Sequence, residues 1–281
     1  MTVGEVLRRS TAFLAGRGSE TPRLDAELLL GKALEVERID LYLDHDRPLT
    51  QGELDAARAL VVRRGRREPV QHVLGEWPFR RLVLTVDRRA LIPRPETEIL
   101  VERCLALIAE RDAPRVLDVG VGSGAIALAI ADEHAGSHVT GVDVSPDALA
   151  LARENAARTG IDLEVLEHDL FNGLPAGPWD LVVSNPPYVH AAELPGLAPE
   201  VADWEPRLAL LADGHTESIA RSAVSVLQPG GALVLEAHGE EAGDVAELLV
   251  AHGFVDVHVT PDLAGRDRVV EGRLSGAGRP G

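Results

Sequence analysis

The residues best suited to chemistry stand together at Ser184-Asn185-Pro186-Pro187-Tyr188. Asn185 brings a side-chain carbonyl and the backbone carbonyl of Pro186 brings a second acceptor. Two such acceptors can hold both hydrogens of an NH2 group and aim its lone pair at an electrophile. Tyr188 adds a flat face for a planar substrate group. The chemistry this set serves is transfer of a group onto an amino or amide nitrogen. Asn185, Pro186 and Tyr188 are therefore the candidate catalytic residues, and Asn185, Pro186, Pro187 and Tyr188 the candidate substrate-binding ones. A Pro-Pro pair alone is a rigid turn; an Asn-Pro-Pro-Tyr run behind a buried strand, in a chain with a nucleotide-type loop, favours function.

The preceding run, Trp179-Asp180-Leu181-Val182-Val183, is short and β-branched and predicts a buried parallel strand. The prolines end it, since each lacks a ladder donor, and Asn185 is held extended by the proline that follows. The motif thus lies beyond a strand's carboxyl end, where open α/β sheets bind ligands. A second such place comes earlier. Arg115–Val119 predicts a strand that runs into Gly120-Val121-Gly122-Ser123-Gly124 and then a helix from Ala125 to about Asp132. Glycines let the backbone turn tightly and let a ligand approach its amides. The loop alone is a weak signal, because Gly120-x-Gly122-x-x-Ala125 also satisfies a dehydrogenase fingerprint. Its company decides, for nothing downstream resembles a hydride-transfer site. Asp118 reads as a brace for the turn. Asp143 closes the next strand, Val139–Val142, ~20 residues after the glycines, a spacing that suits a ribose hydroxyl pair. Asp169 ends the third strand, Leu163–Glu167, in position to meet an adenine amino group.

Strands and helices alternate from Ala113 onward, the pattern of a parallel sheet covered on both faces. A Pro- and acid-rich loop through Glu205-Pro206 is long enough for a substrate lid. Further strands are expected at Ala232–Glu236, Val255–Val259 and Arg268–Gly272. Residues 1 to about 70 read instead as helices. Thr2 with Glu5 and Thr50 with Glu53 form capping boxes, and Thr21-Pro22 places a cap and a first-turn proline before Leu24, Leu28, Leu29 and Leu34. Leu82, Leu84 and Val86 alternate after Phe79 and predict a hairpin. The prolines of Leu91-Ile92-Pro93-Arg94-Pro95-Glu96 then forbid regular structure until a helix near Thr97; the stretch is either a linker or a flap over a cofactor. The expected division is a helical domain over 1–74, hairpin and linker over 75–95, a catalytic domain over 96–274 and a disordered tail over 275–281.

The 281 residues carry 45% hydrophobic and 26% charged side chains and a net charge of −17. That charge argues against a general binder of nucleic acid or anionic membranes. Arg63-Arg64-Gly65-Arg66-Arg67 is the local exception, read either as a solvated helix end or as a patch that docks RNA or an acidic protein surface. One cysteine, Cys104, excludes an internal disulfide and suits a reducing cytosol. No run approaches the ~20 apolar residues that span a bilayer. His134 and His138 stand four apart, but Gly136 interrupts them and no third ligand is evident, so no metal is expected. The chain reads as cytoplasmic and monomeric.

With these residues assembled, the chain resembles the HemK family, the release factor glutamine methyltransferases. The resemblance rests on Leu24-Asp25-Ala26-Glu27, Pro69-Val70-Gln71, Ile92-Pro93-Arg94-Pro95-Glu96-Thr97-Glu98, the glycine loop with Asp118, and Asn185-Pro186-Pro187-Tyr188. Glu205-Pro206 and Gly230-Gly231 also fit. The Asn-Pro-Pro-Tyr element is shared with amino-group DNA methyltransferases; the Ile-Pro-Arg-Pro-Glu-Thr-Glu segment points to this family. Glu236-Ala237-His238-Gly239 departs from the family's Glu-x-Gly, and Leu170 stands where an aromatic is sometimes found. The resemblance implies a class I, Rossmann-like fold with a seven-stranded, mostly parallel sheet and a small N-terminal helical bundle joined by a β-hairpin. It implies S-adenosylmethionine as donor and the glutamine of a Gly-Gly-Gln loop in peptide chain release factors as acceptor. Gly120, Val121, Gly122, Ser123 and Gly124 would then hold the methionine end, Asp143 the ribose, and Asp169 with Leu170 the adenine surroundings. Asn185 would touch both donor and acceptor. An adenine-N6 methyltransferase acting on DNA or RNA is the alternative, disfavoured by the charge and by only 3% aromatic residues.

Overall fold

The computed structural model describes residues 1–276, so the expected tail lies, from residue 277, outside the described residues. The chain forms two compact units, one of Met1–Glu76 with Leu197–Trp204 and one of Trp77–Gly196 with Glu205 onward.

The first unit is helical: α1 (Val3–Gly16), α2 (Pro22–Leu34), α3 (Asp40–Leu43), α4 (Gln51–Gly65) and α5 (Val70–Leu74). Both capping boxes form, with the Glu5 and Glu53 amides donating to Thr2 and Thr50 and their carboxylates accepting in return. Thr21 does not cap α2; its hydroxyl instead donates to Asp25 at 2.9 Å, and Pro22 alone sets the first turn. Leu14, Leu29, Leu30 and Leu41 are fully buried at the centre, whereas Leu24 is on the outside. Three arginines of the run are paired with carboxylates, while Arg66 is exposed. Arg63 pairs with Glu68 through two bonds at 2.9 and 2.5 Å, and Arg64, a buried side chain, donates to Asp25 at 2.7 Å. Arg64 and Arg67 together grip Glu200, at 2.8 Å from Arg64 and at 2.7 and 2.5 Å from Arg67. Glu200 sits on α9 (Pro199–Ala202). This grip explains why residues 197–204, expected in the catalytic domain, belong with the helical unit.

The second unit opens at Trp77, within the hairpin of β1 (Glu76–Phe79) and β2 (Leu82–Thr85), which α6 (Thr97–Ile108) follows. Then come β3 (Arg115–Val119), α7 (Ala125–Glu133), β4 (His138–Asp143), α8 (Pro146–Thr159), β5 (Glu164–Glu167) and β6 (Trp179–Ser184). After α9 the chain continues through α10 (Arg207–Leu210), α11 (His215–Val226), β7 (Leu227–Glu236), α12 (Ala242–Ala251), β8 (Phe254–Pro261) and β9 (Asp267–Leu274). Seven strands lie in the order β5-β4-β3-β6-β7-β9-β8, parallel except for β9, which runs antiparallel between its neighbours. β7 begins at Leu227, so Gly230-Gly231 lies within the strand rather than ahead of it.

The central strands β3 and β6 and the second half of β7 are buried at nearly every position because both faces are covered. In β6 and β7, Leu181, Val183, Ala232 and Val234 pack with α6, α7 and α8. Their neighbours in sequence, Val182, Leu233 and Leu235, pack on the other face with α11 and α12. Cys104 is fully buried on α6, and burial pushes its thiol well above the usual range, which makes it a core side chain. The strand order reverses between β3 and β6, paired through Val116 with Leu181, Leu117 with Val182 and Asp118 with Val183. A crevice opens at the carboxyl ends of two such strands.

Candidate active site

The glycine loop leaves β3 and enters α7. Gly120 and Gly124 adopt φ of +77° and +84°, left-handed values that disfavour any side chain. A Cβ at Gly120 would meet nothing, since that side of the loop faces open space, whereas one at Gly124 would press on Leu128 at 3.1 Å. Gly120 therefore leaves room for a ligand and Gly124 serves helix packing. Asp118, fully buried behind the loop, accepts the Ala127 amide at 3.1 Å. Burial raises its pKa to about 7, against the opposing bond from Ala127. It braces the start of α7, as the sequence suggests.

A cavity of about 380 Å³ fills the crevice. Gly120, Val121, Gly122 and Ser123 form one wall, Asp143, Asp169 and Leu170 a second, and Asn185, Pro186 and Pro187 a third. Of the sequence-derived set, Gly124 and Tyr188 are not among the lining residues. Tyr188 stands beside the cavity with its ring 6.0 Å from that of His238. Its phenol pKa is raised by burial and then by the charge of Glu236.

Asp143 accepts the Gly122 amide at 3.0 Å and the Ser145 amide at 2.9 Å, so the residue expected to bind ribose also shapes the glycine loop. Burial raises its pKa, against those two bonds. Asp169 accepts the Phe171 amide at 3.0 Å. The aromatic ring missing at Leu170 stands one residue later, where Phe171 lines the cavity with its ring 5.1 Å from that of His215.

The proline-rich segment is a wall rather than a linker. Ala90, Leu91, Ile92, Pro93 and Arg94 all line the cavity. Arg94 pairs with Glu205 at 2.6 and 2.7 Å, which ties the segment to the end of the loop that follows the Asn-Pro-Pro-Tyr motif. Glu205 is buried, and that burial raises its pKa against the pull of Arg94.

Three polar residues were given no site role by the sequence. Asn155, fully buried on α8, accepts the Thr85 amide at 2.7 Å and donates to the carbonyls of Thr85 and Ser123 at 3.1 and 2.9 Å. It joins the hairpin to the glycine loop. Thr97, at the start of α6, donates its hydroxyl to Glu236 at 2.7 Å and accepts the Asn185 side-chain amide at 3.4 Å. Both Thr97 and Glu236 are buried. A polar residue at a helix start and an acid at a strand end are too common to signal such a network. The carbonyl oxygen of Asn185 is buried and has no partner, and such an acceptor is costly unless something fills it.

Comparison with known proteins agrees with this geometry. Residues 5–75 match the PrmC N-terminal domain and residues 96–198 the Methyltransferase small domain. The Release factor glutamine methyltransferase of Chlorobaculum tepidum is 44% identical over 95% of this chain and 95% of its own. That of Geobacter sulfurreducens is 43% identical over 97% of each. A methyltransferase from Pyrococcus furiosus, 16% identical with a TM-score of 0.51 over 68% of this chain and 88% of that one, shares the fold. With such identity along nearly its whole length, the chain belongs to the release factor glutamine methyltransferase family.

Proposed function

We propose that this chain transfers the methyl group of S-adenosylmethionine to the side-chain amide nitrogen of the glutamine in the Gly-Gly-Gln loop of peptide chain release factors. One observation carries the reading most: Asn185 lines the same cavity as the glycine loop, and its side-chain oxygen is buried without a partner. An acceptor with nothing to accept fits an incoming NH2 group.

The cavity's other features fit the donor. A Cβ at Gly120 would meet only open space, and Asp143 and Asp169 line the cavity at the end of β4 and just beyond β5. Gly120, Val121, Gly122 and Ser123 would hold the methionine end, Asp143 the ribose, and Asp169, Leu170 and Phe171 the adenine. Bound there, S-adenosylmethionine supplies a methyl group on a positively charged sulfur, an electrophile that needs no further activation. The protein's own task is to position the acceptor. Asn185 and the Pro186 carbonyl hold the two amide hydrogens and turn the nitrogen lone pair toward the methyl group. They also favour the pyramidal nitrogen of the transition state over the planar amide. Tyr188 and Pro187 supply packing for the glutamine side chain. Residues 90–94 and the stretch from Pro206 to Ala209 exclude water.

Residues 1–74 would dock the protein substrate, since the motifs attributed to the donor all lie after Ala113. Among the described residues no helix is long and apolar enough to cross a membrane, which agrees with action in the cytoplasm, where release factors work.

The test is mass spectrometry of a purified release factor after incubation with this protein and S-adenosylmethionine, with a Gln→Asn change in the Gly-Gly-Gln loop as control. A gain of one methyl group on that glutamine, absent from the control, is expected. Methylation of DNA adenine with the glutamine untouched would overturn the substrate while leaving the methyltransferase.

A further inference from the structure

The side-chain amide of Asn185 has nearly the same shape either way round. In one orientation its oxygen is left to accept from a substrate NH2; in the other its own NH2 takes that place and repels the substrate. Something must choose between them. We infer that Thr97 and Glu236 are positioning residues that make this choice by the polarity of their hydrogen bonds, an inference that rests on transfer to an amide nitrogen as proposed above.

The chain of bonds runs in one direction. Glu236 ends β7, buried, in contact with Thr97 and within the fields of Arg94, Glu96 and Arg268. As a carboxylate it can only accept, and the Thr97 hydroxyl donates to it at 2.7 Å. A hydroxyl has one hydrogen, so the Thr97 oxygen is left with lone pairs alone toward Asn185. Only the NH2 end of Asn185 can meet it, and it does, at 3.4 Å. The oxygen of Asn185 is thereby turned away, buried and without a partner. A single negative charge, two bonds from the substrate site, sets which atom the substrate meets.

Protonation of Glu236 reverses the logic. A carboxylic acid can donate to Thr97, which frees the Thr97 hydrogen to donate to Asn185 and allows the amide to turn over. Burial raises the pKa of Glu236 to about 7, with the Thr97 bond and the charges of Arg268 and Arg94 pulling it down and Glu96 pushing it up. Acidification through that range therefore removes the constraint.

The test combines two readouts. In the protein labelled on asparagine nitrogen, nuclear Overhauser contacts from the Asn185 carboxamide protons to the Thr97 side chain are expected at pH 8 and should weaken by pH 6. Carboxamide protons without such contacts at pH 8 overturn the inference whatever the substrate is. In kinetics on whole release factor, Thr97→Val should lower kcat by about 10- to 100-fold while the affinity for S-adenosylmethionine holds. Thr97→Ser, which keeps the hydroxyl, should restore most of the loss. Glu236→Gln should lower kcat and abolish the fall in parent activity below about pH 7. A Thr97→Val protein with the parent kcat, or a Thr97→Ser protein as impaired as Thr97→Val, overturns it. Should the parent transfer no methyl to release factor, the proposed function fails, and the Overhauser contacts still decide the orientation of Asn185.

Discussion

Replacing Asp143 with alanine tests the donor site and the glycine loop together, because one carboxylate serves both. Its two oxygens accept the amides of Gly122 and Ser145 at 3.0 and 2.9 Å. Hydrogen bonds to a charged group are worth ~1.5–3 kcal/mol each. Two opposing effects shrink the loss here. The freed amides lie at a cavity that water can enter, and removing a carboxylate whose pKa is raised by burial relieves a desolvation cost. A net cost of about 2 kcal/mol remains. For a protein of this size that corresponds to a fall in Tm of roughly 4–8 °C, so Asp143→Ala stays folded at 25 °C. Binding suffers separately. Loss of a pair of bonds to the ribose hydroxyls, at the lower end of the same range, totals about 3 kcal/mol, or ~10²-fold in Kd. Isothermal calorimetry with S-adenosylmethionine and a melting curve on the same preparation read both quantities. A lowered Tm with an unchanged Kd would leave Asp143 a loop brace and refute the ribose role. If neither changes, both assignments fall.

Asn185→Ala should reduce methyl transfer to a release factor by ~10²–10³-fold, the usual effect of removing a transition-state hydrogen-bond partner, with donor affinity largely kept; turnover at the parent rate would place the active site elsewhere. Asn185→Asp retains an acceptor but gives Thr97 no donor, and should fall between Asn185→Ala and the parent in the same assay. Glu200→Ala leaves Arg64 with Asp25 but frees Arg67, whose side chain is 24% exposed and can rehydrate. A stability loss of about 2 kcal/mol, below the ~3–5 kcal/mol for a fully buried broken pair, should appear as a lower Tm and faster proteolysis within residues 189–206; an unchanged Tm and digestion pattern would show that the grip does not hold this segment. The pH dependence of stability has a definite sign. Asp118 and Glu236 titrate at about 7 when folded, well above their unfolded values, so between about pH 4.5 and 7 the folded state binds more protons. Stability contributed by this excess falls as pH rises through that window, by on the order of 3 kcal/mol per group. Glu236→Gln removes one contribution, so its Tm should gain on the parent as pH rises from 5 to 7; a pH-independent difference would contradict the raised pKa.

What the sequence determined by itself is what neighbours in the chain decide. Thr2 with Glu5 and Thr50 with Glu53 lie three residues apart, within reach of one helical turn, and both boxes form. Gly120, Gly122 and Gly124 hold positive φ because the turn from β3 into α7 demands it locally. Prolines 186 and 187 end β6 for want of a donor, whatever packs around them. The strand runs and their alternation with helices carry the parallel sheet, and hence the two carboxyl ends where the cavity lies. Among the local readings that failed is the cap at Thr21, whose side chain accepts no helix amide and whose hydroxyl donates to Asp25.

Tertiary structure decided the rest, since the partners are far apart in the chain and of ordinary type. Thr97 meets Glu236 across 139 residues, Arg64 meets Glu200 across 136, and Asn155 meets Thr85 across 70. No periodicity or motif joins such pairs. A threonine at a helix start reads as a helix start, and an arginine run reads as a charged helix end, until folding brings a carboxylate to each. The orientation of the Asn185 amide is the furthest from sequence. The chain specifies the residue, but the Thr97 hydroxyl that its amide nitrogen meets, and the Glu236 carboxylate behind that hydroxyl, are delivered by two other elements of the fold.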